Sequence, residues 1–318
     1  GPNVRPSDYW TEELQNIDYM FDASPLVVER LRHHCYHITG VWPYQYRTHK
    51  DRVQHRHQVK LEALLDAGSP RLFVPESPSL GGFGFETEHG LVNVDTLKYF
   101  EVTLALERAN ALQPFAQGER RAVAWEIGSG WGGFAYVFKT LFPNTTYVMS
   151  DLPELFLYSG TYLSAVFPDA TVTYWNGPGE PIDWEASDFV FVPAHALDAV
   201  QPPSVDLALN MISFQEMSTE QVEAYVAHAH ALGTPYFYSL NRERSLYNPE
   251  LLGVTAIMQK RFWLHEIEVL PVAYTDMPET IPTVDRKERK RRQQGERALS
   301  PEDERRYRHV VGWPRIDL

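Results

Sequence analysis

Short apolar runs alternate with longer stretches of helical periodicity between residues 119 and 275. The pattern predicts buried strands at 122–127, 145–149, 171–175, 189–192, 205–209 and 235–240. It predicts helices at about 131–141, 152–166 and 219–231. Strands that alternate with helices indicate a parallel sheet joined by right-handed crossovers. We therefore expect ligands at the carboxyl ends of the strands, near the point where the strand order reverses.

The first 118 residues have a different pattern, which is mainly helical. A helix is predicted to start at Tyr9–Leu14, and others at Val27–Leu31 and His57–Leu65. Proline and glycine indicate a loop at 75–85. A long helix is predicted at Leu91–Asn110, with Asn93 or Asp95 as its N-cap.

The pattern divides the chain into three parts. We expect a helical N-terminal cap that includes the acceptor region at 3–118, a ligand-binding α/β domain at 119–275, and a charged C-terminal arm at 276–318. The arm holds six basic residues between 286 and 292. A solvated helix or flexible arm is the simplest interpretation of that run, and a contact with an acidic neighbour is the alternative.

Composition narrows the class of protein. The 318 residues are 43% hydrophobic, which is enough for one large core. The formal net charge of -13 argues against general binding to nucleic acid or to an anionic membrane surface. Apolar runs are shorter than the roughly 20 residues that span a membrane. The single cysteine, Cys35, excludes an intramolecular disulfide and a thiolate metal cluster, and it favours a reducing, cytoplasmic location.

The most specific motif is Glu-Ile-Gly-Ser-Gly-Trp-Gly-Gly at 126–133, directly after the first predicted strand. Glycine allows a tight turn and a close approach of backbone to a nucleotide-sized ligand. Glu-x-Gly-x-Gly-x-Gly is typical of S-adenosylmethionine (SAM) sites, where the carboxylate of Glu126 can hold the cationic methionine end. Gly128, Gly130 and Gly133 also satisfy Gly-x-Gly-x-x-Gly, so a dinucleotide site is the alternative.

Two later strand ends add to this site. Asp151 closes the second strand, 21 residues after Gly130, where an acid accepts hydrogen bonds from ribose hydroxyls. His195 follows the strand at 189–192, at a position that lines the adenine or the reacting end of a cofactor. The predicted cofactor-binding residues are Glu126, Gly128, Ser129, Gly130, Gly132, Asp151, Leu152 and His195.

Four blocks together carry a resemblance to a known family: residues 126–133, Ser150-Asp-Leu-Pro-Glu154, Asn210-Met-Ile-Ser-Phe-Gln-Glu-Met217 and Leu91-Val-Asn-Val-Asp-Thr-Leu-Lys-Tyr99. The chain resembles class I SAM-dependent methyltransferases and, more narrowly, bacterial sugar O-methyltransferases. The resemblance covers about 90–275. It implies an α/β, Rossmann-like class I methyltransferase fold, a mostly parallel sheet flanked by helices behind a mainly helical N-terminal cap. It also implies SAM as cofactor and a sugar hydroxyl, in polysaccharide biosynthesis, as acceptor.

Methyl transfer to oxygen is an in-line displacement in which the enzyme supplies alignment and a general base. Glu216 is the first candidate for the base and His195 the second. Asn210, at the end of the fourth main strand, and Gln215 are expected to orient hydroxyls. The alternative for Glu216 is stabilisation of a helix amino end.

Aromatic and polar residues of the N-terminal region are candidates for a lid over the acceptor. The predicted substrate-binding residues are Trp42, Tyr44, Arg47, Phe83, Glu88 and His89, with Ser213 and Gln215. Burial of the aromatics in the core is the alternative interpretation. The many aromatics also favour a homodimer that covers some of them. The spacing of His33, His34, His37, His55 and His57 predicts no metal site, whereas a divalent ion held by carboxylates stays open.

The predicted partner is thus a carbohydrate acceptor, with no nucleic acid and no membrane span. Methylation of another small molecule is the first alternative. An NAD-dependent oxidoreductase and a SAM-binding scaffold without activity are the others.

Overall fold

The computed structural model describes residues 5–47, 50–118, 120–244, 251–282 and 305–316. The N-terminal region contains one small antiparallel hairpin, β1 (Phe85–Thr87) and β2 (Gly90–Val92). Otherwise it is helical: α1 (Asp8–Ile17), α2 (Pro25–Val28), α3 (Leu31–His34), α4 (Tyr36–Thr39), α5 (Asp51–Ala67), α6 (Val94–Arg108) and α7 (Gln113–Gln117). The mainly helical character predicted for this region is confirmed.

Helix α6 starts three residues later than the sequence pattern predicted. Asn93 is its N-cap, and the Asn93 side chain accepts a hydrogen bond from the Thr96 backbone N–H at 3.0 Å. The Thr96 hydroxyl accepts the Asn93 backbone N–H in return at 3.0 Å. This capping box fixes the first turn of the helix. Leu91 therefore belongs to β2, where it pairs with Glu86.

An eight-stranded sheet forms the rest of the protein, in the order β5–β6–β4–β3–β7–β8–β10–β9. Its strands are β3 (Ala122–Ile127), β4 (Thr145–Asp151), β5 (Val172–Tyr174), β6 (Phe189–Pro193), β7 (Leu207–Met211), β8 (Phe237–Asn241), β9 (Phe262–Ile267) and β10 (Arg308–Pro314). The first six pair in parallel. Three helices lie between successive parallel strands: α8 (Gly133–Leu141), α9 (Phe156–Val166) and α10 (Thr219–Ala231). A fourth, α11 (Val254–Met258), lies between β8 and β9.

The apolar runs are continuous because both faces of the central strands are covered. Every residue of β3 and β4 is buried, as expected of a parallel sheet between two layers of helices. The predicted strands agree with the structure to within two residues at each end. The helix predicted at 219–231 is α10, whose N-cap Ser218 forms a capping box with Gln221.

The last strand lies in a stretch for which the sequence predicted a charged arm. β10 is inserted between β8 and β9 and is antiparallel to both. Its central residues Val310 and Val311 are buried. The basic run at 286–292 lies outside the described residues. β10 completes the sheet, because its two neighbours would otherwise not be paired to each other.

The strand order confirms the predicted fold class. The order reverses at β3, which has β4 on one side and β7 on the other. This is the Rossmann-like class I methyltransferase arrangement: a mostly parallel sheet flanked by helices, with one antiparallel strand near an edge. The reversal places a crevice at the carboxyl ends of β3, β4 and β7.

Two single features complete the description. Cys35 is buried, and burial raises the pKa of its thiol to about 12. Within the described residues, the helices are too short or too polar to cross a bilayer.

Candidate active site

A cavity of about 310 Å³ opens at the carboxyl ends of β3, β4 and β7. Its walls come from the loop between β3 and α8, the residues that follow β4, β6 and β7, the helix α10 and the N-terminal region, with Tyr274 and Thr275 in addition. Of the predicted residues, those that line it are Glu126, Gly128, Ser129, Gly130, Asp151, Leu152, Ser213 and Glu216. The structure thus brings together residues that lie up to 90 positions apart in the sequence.

The glycine loop forms the floor of the cavity. Gly128 has a φ of +74°, and a Cβ placed there would overlap the Ser213 hydroxyl. The Gly128 backbone N–H donates to Ser150 O at 2.7 Å, which holds the loop against the end of β4. A side chain at Gly128 would therefore both strain the backbone and fill the space beside the cavity.

Asp151 ties the loop to the second strand. Its carboxylate accepts the Gly130 backbone N–H at 2.6 Å and the Leu152 backbone N–H at 2.8 Å. Burial raises the pKa of Asp151 to about 6, against the effect of these two donors. The carboxylate lines the cavity, where its remaining lone pairs can accept hydrogen bonds from ligand hydroxyls.

Glu126 lies one residue before the end of β3 and is 2% exposed. Its carboxylate accepts a hydrogen bond from the Tyr147 hydroxyl at 2.9 Å. Burial raises the pKa of Glu126 to about 8. A buried acid of this kind is stabilised in its ionised form by a cationic ligand, so Glu126 can hold an ammonium or sulfonium group.

These residues fit the adenosyl-methionine ligand that the sequence predicted. Two acids face the cavity where that ligand has hydroxyls and positive charge. Gly128 lets the loop pack directly on Ser213, where a Cβ would overlap the Ser213 side chain. The buried indole Nε1–H of Trp131, which also lines the cavity, has no hydrogen-bond partner among the described residues. A ligand acceptor would satisfy this donor.

Glu216 also lines the cavity, in a 3₁₀ turn at Phe214–Glu216 that follows β7. Its carboxylate accepts a hydrogen bond from the Trp10 indole Nε1–H at 3.1 Å. Burial raises the pKa of Glu216 to about 8. Because α10 begins only after its own N-cap at Ser218, Glu216 is not part of that helix's first turn. Its side chain therefore does not have the helix-stabilising role that was the alternative.

The backbone of this wall is strained next to Glu216. Ile212 has a φ of +71° and lines the cavity. A β-branched residue rarely adopts this conformation. Its backbone N–H donates to Leu240 O at 2.7 Å, which holds the turn in place. Strain of this kind is concentrated at functional sites.

Asn210 supports this wall and does not face the cavity. Its side-chain amide donates to Ile127 O at 2.7 Å and its oxygen accepts from the Asn241 amide at 2.8 Å. Asn210 is fully buried. The structure therefore gives it the geometry of a residue that positions the ends of β3 and β7.

The other predicted residues lie outside the cavity lining. Gly132 is the N-cap of α8. His195 is exposed, with its ring edge against Trp175 at 5.9 Å. Gln215 is buried, and its amide donates to the Tyr307 hydroxyl at 3.2 Å. Exposed positions are occupied by Trp42, Tyr44, Arg47, Glu88 and His89, whereas Phe83 is buried.

The sequence reasoning missed most of the N-terminal wall. That wall includes Trp10, residues 38–41, Gln45, Asp95, Lys98 and Tyr99, and Tyr274 and Thr275 add to it. The sequence did contain a signal for two of these residues. The cap at Asn93 determines where α6 begins, and the spacing of three residues places Asp95 and Lys98 on one face of that helix. Trp10 offered no such signal.

Among the described residues, no group of three or more His, Cys, Asp or Glu side chains is arranged to hold a metal ion.

No protein-family model and no curated protein matches the chain, whereas solved structures do. The structure of the pyocyanin biosynthetic protein PhzM matches with a TM-score of 0.37 and 12% identity, over 67% of this chain and 57% of that one. An O-methyltransferase family protein from Burkholderia thailandensis matches with a TM-score of 0.38 and 10% identity, over 71% and 60%. The N-methyltransferase NodS from Bradyrhizobium japonicum WM9, in complex with S-adenosyl-l-homocysteine, matches with a TM-score of 0.38 and 11% identity, over 66% and 87%. The chain thus spans less than two thirds of the first two proteins, and the fold assignment above rests on strand order and direction.

Proposed function

We propose that this protein is a SAM-dependent O-methyltransferase that methylates a hydroxyl of a sugar or oligosaccharide. The observation that carries the proposal is the arrangement of two groups across one cavity. Glu126, the glycine loop and Asp151 form the part of the lining suited to the cofactor, and Glu216 lines the same cavity from the segment after β7.

The sheet supports SAM over a dinucleotide. A dinucleotide-binding domain has parallel strands in the order 3-2-1-4-5-6. Here the antiparallel β10 lies between β8 and β9, next to the edge of the sheet. Glu126 lies two residues before the first glycine. Its carboxylate would attract the positive charge of SAM and would repel the phosphates of a dinucleotide.

SAM supplies an electrophilic methyl group on a sulfonium. The protein's own contribution is to align the acceptor and to take its proton. Glu216 accepts the hydroxyl proton as the new bond to oxygen forms. Its raised pKa makes it a stronger base than an exposed carboxylate, and Trp10 fixes the orientation of its carboxylate by a hydrogen bond at 3.1 Å.

The sugar specificity is supported by the rim of the cavity. Trp42 is 49% exposed and stacks on Tyr36 with ring centroids 4.0 Å apart. It directly follows residues 38–41, which line the cavity. The exposed ring of Trp42, backed by the half-buried Tyr36 and next in the chain to the cavity lining, suits the apolar face of a sugar ring, with the reacting hydroxyl directed towards Glu216. The homodimer and the cytoplasmic location stay predictions from the sequence.

Calorimetric titration with SAM, its product S-adenosylhomocysteine and NAD tests the cofactor. We expect micromolar binding of the two adenosyl-sulfur ligands and none of NAD. Binding of NAD alone would overturn the proposal and make the glycine loop a dinucleotide site.

Transfer of an isotopically labelled methyl group tests the acceptor. Monosaccharides and oligosaccharides are compared with phenols and small amines at the same concentrations. We expect label in the sugar fraction, as an alkali-stable ether. Label only in phenols or amines would keep the methyltransferase and contradict the sugar acceptor, and binding of SAM without any transfer would favour the scaffold alternative.

A further inference from the structure

Lys98 is the only Lys or Arg among the described residues that line the cavity. It lies on α6, in the second turn after the Asn93 cap. The other charged side chains of the lining are acids: Asp95, Glu126, Asp151 and Glu216. A negatively charged group of a ligand therefore has one place in this cavity where it meets a cation rather than a carboxylate.

The Lys98 ammonium is held in place by a buried cluster of charged side chains. It donates to Asp95 Oδ1 at 3.0 Å, and the other Asp95 oxygen accepts from Arg32 at 2.6 Å. Arg32 also donates to Glu76 at 2.7 Å and lies under the Trp131 ring at 4.0 Å. The cluster contains two cations, Lys98 and Arg32, and two acids, Asp95 and Glu76. Asp95 therefore has the buried Arg32 as a partner in addition to Lys98.

This pairing leaves Lys98 able to bind a further anion. An ammonium has three donors, and Asp95 accepts one of them. The ring centroids of Tyr99 and Tyr274, two further residues of the cavity lining, lie 4.7 and 5.9 Å from the ammonium. Burial alone would raise the pKa of Asp95, but Lys98 and Arg32 lower it below its usual range, so the acid that orients Lys98 stays ionised.

Lys98 and Glu126 border the same cavity, and Lys98 acts electrostatically on the Glu126 carboxyl. The cavity thus presents a cation from α6 and an acid from β3. An amino-acid zwitterion has the complementary pair of charges, an ammonium and a carboxylate on one carbon. The methionine part of SAM is such a group, and the other cavity acid of the sheet, Asp151, lies at the end of the neighbouring strand where the ribose is expected.

We propose that Lys98 binds the methionine carboxylate of SAM and forms, with Glu126, a two-charge clamp for the zwitterionic end of the cofactor. This inference rests on the proposed function, because it assigns a residue to the cofactor of that reaction. It gives the N-terminal region a direct part in cofactor binding, in addition to its expected role at the acceptor. Asp95 and Arg32 are then positioning residues for the Lys98 ammonium.

Two ligands and two proteins test this clamp by calorimetry. The ligands are S-adenosylhomocysteine and its decarboxylated analogue, which keeps the ammonium and lacks only the carboxylate. The proteins are the natural chain and Lys98→Gln, whose amide can still donate to Asp95. We expect the natural chain to prefer the carboxylate-bearing ligand by about 10- to 100-fold, and Lys98→Gln to bind both ligands equally within about threefold.

A matched control is Lys260→Gln, which removes an exposed lysine that pairs with Glu223 away from the cavity. It should retain the full preference for the carboxylate. Binding of the decarboxylated analogue by Lys98→Gln also reports that the variant is folded. If Lys98→Gln does not fold, Lys98→Arg replaces it. The preference for the carboxylate is then compared between the natural chain and Lys98→Arg.

Three results would overturn the clamp. One is equal binding of both ligands by the natural chain. Another is a preference that survives Lys98→Gln. The third is a change confined to the Michaelis constant of the acceptor, which would move Lys98 to acceptor recognition. Failure of the natural chain to bind either ligand has a different meaning, since it contradicts the proposed cofactor itself.

Discussion

The two sides of the cavity differ in how they are built. The sheet side is made of strand ends and the turns that follow them, and six of its predicted cofactor residues line the cavity: Glu126, Gly128, Ser129, Gly130, Asp151 and Leu152. The N-terminal side is made of helices and loops packed across the sheet. None of the six predicted residues of that region lines the cavity, and Trp10, Asp95 and Lys98 do.

This difference shows which kind of pattern locates a site. In a parallel sheet the end of a strand determines where the next residues lie, so a motif after a strand gives the position of its side chains. In the N-terminal region an aromatic residue can face the core, the solvent or the cavity. Trp42 and Tyr44 are exposed, whereas Phe83 is buried under Arg32. The predictions below test the two sides separately.

The largest effect is expected at the wall after β7. Glu216→Gln cannot take a proton, so we expect the rate of methyl transfer at saturating substrates to fall by about 10²- to 10⁴-fold. The affinity for S-adenosylhomocysteine should stay within about threefold, because glutamine can still accept the Trp10 hydrogen bond. Glu220→Gln, on the exposed first turn of α10, is the control. An activity within tenfold of the natural chain would exclude Glu216 as the base.

A smaller effect is expected on the sheet side. Asp151→Asn removes the charge that accepts the Gly130 and Leu152 N–H groups and faces the ligand hydroxyls. Hydrogen bonds to a charged group are worth about 1.5–3 kcal/mol, so the affinity for S-adenosylhomocysteine should fall by about 10- to 100-fold. Calorimetry measures this, with the exposed Asp169→Asn as control. Unchanged affinity would remove Asp151 from the cofactor site.

The hydrogen bond from Trp10 to Glu216, which joins the two sides, should affect the pH dependence of the rate of methyl transfer. Glu216 acts as a base only when ionised, so the rate should rise about tenfold per pH unit well below pH 8 and level off above it. The Trp10 hydrogen bond stabilises the ionised form and lowers the pKa of Glu216. Trp10→Phe should therefore move the midpoint upward, by up to about one pH unit.

The rate is measured with both substrates saturating, so that titration of Glu126 in cofactor binding does not enter. Trp263→Phe, at an exposed position on β9, is the control and should leave the midpoint unchanged. A midpoint for Trp10→Phe that stays the same or moves downward would show that Trp10 does not act on the base.

The smallest effect is expected at His195, the second candidate for the base. Its side chain is exposed beside Trp175 and lies outside the cavity lining. We expect His195→Ala to keep kcat/KM and cofactor affinity within about twofold. A loss of more than tenfold would return His195 to the reaction and weaken the assignment of Glu216.

Most of the sheet could be predicted from the sequence, and two strands could not. Five of the six parallel strands, β3, β4, β6, β7 and β8, are short and mostly apolar because they are buried on both faces, whereas β5 lies half-exposed at the edge of the sheet. β9 and β10 are different: the exposed and buried residues of β9 are mixed, and β10 follows a long charged stretch. Their place in the sheet depends on the unpaired edge of β8, which a local pattern does not contain.

The sequence by itself determined the α/β class, the glycine loop and the acids Glu126, Asp151 and Glu216 of the cavity. These follow from strand periodicity and from residues adjacent to strand ends, which are local properties of the chain. The tertiary structure alone decided that Trp10 donates to Glu216, 206 positions away, and that Lys98 borders the same cavity as Glu126. Such contacts depend on how helices pack across the sheet, and packing joins residues whose separation in the sequence leaves no periodic signal.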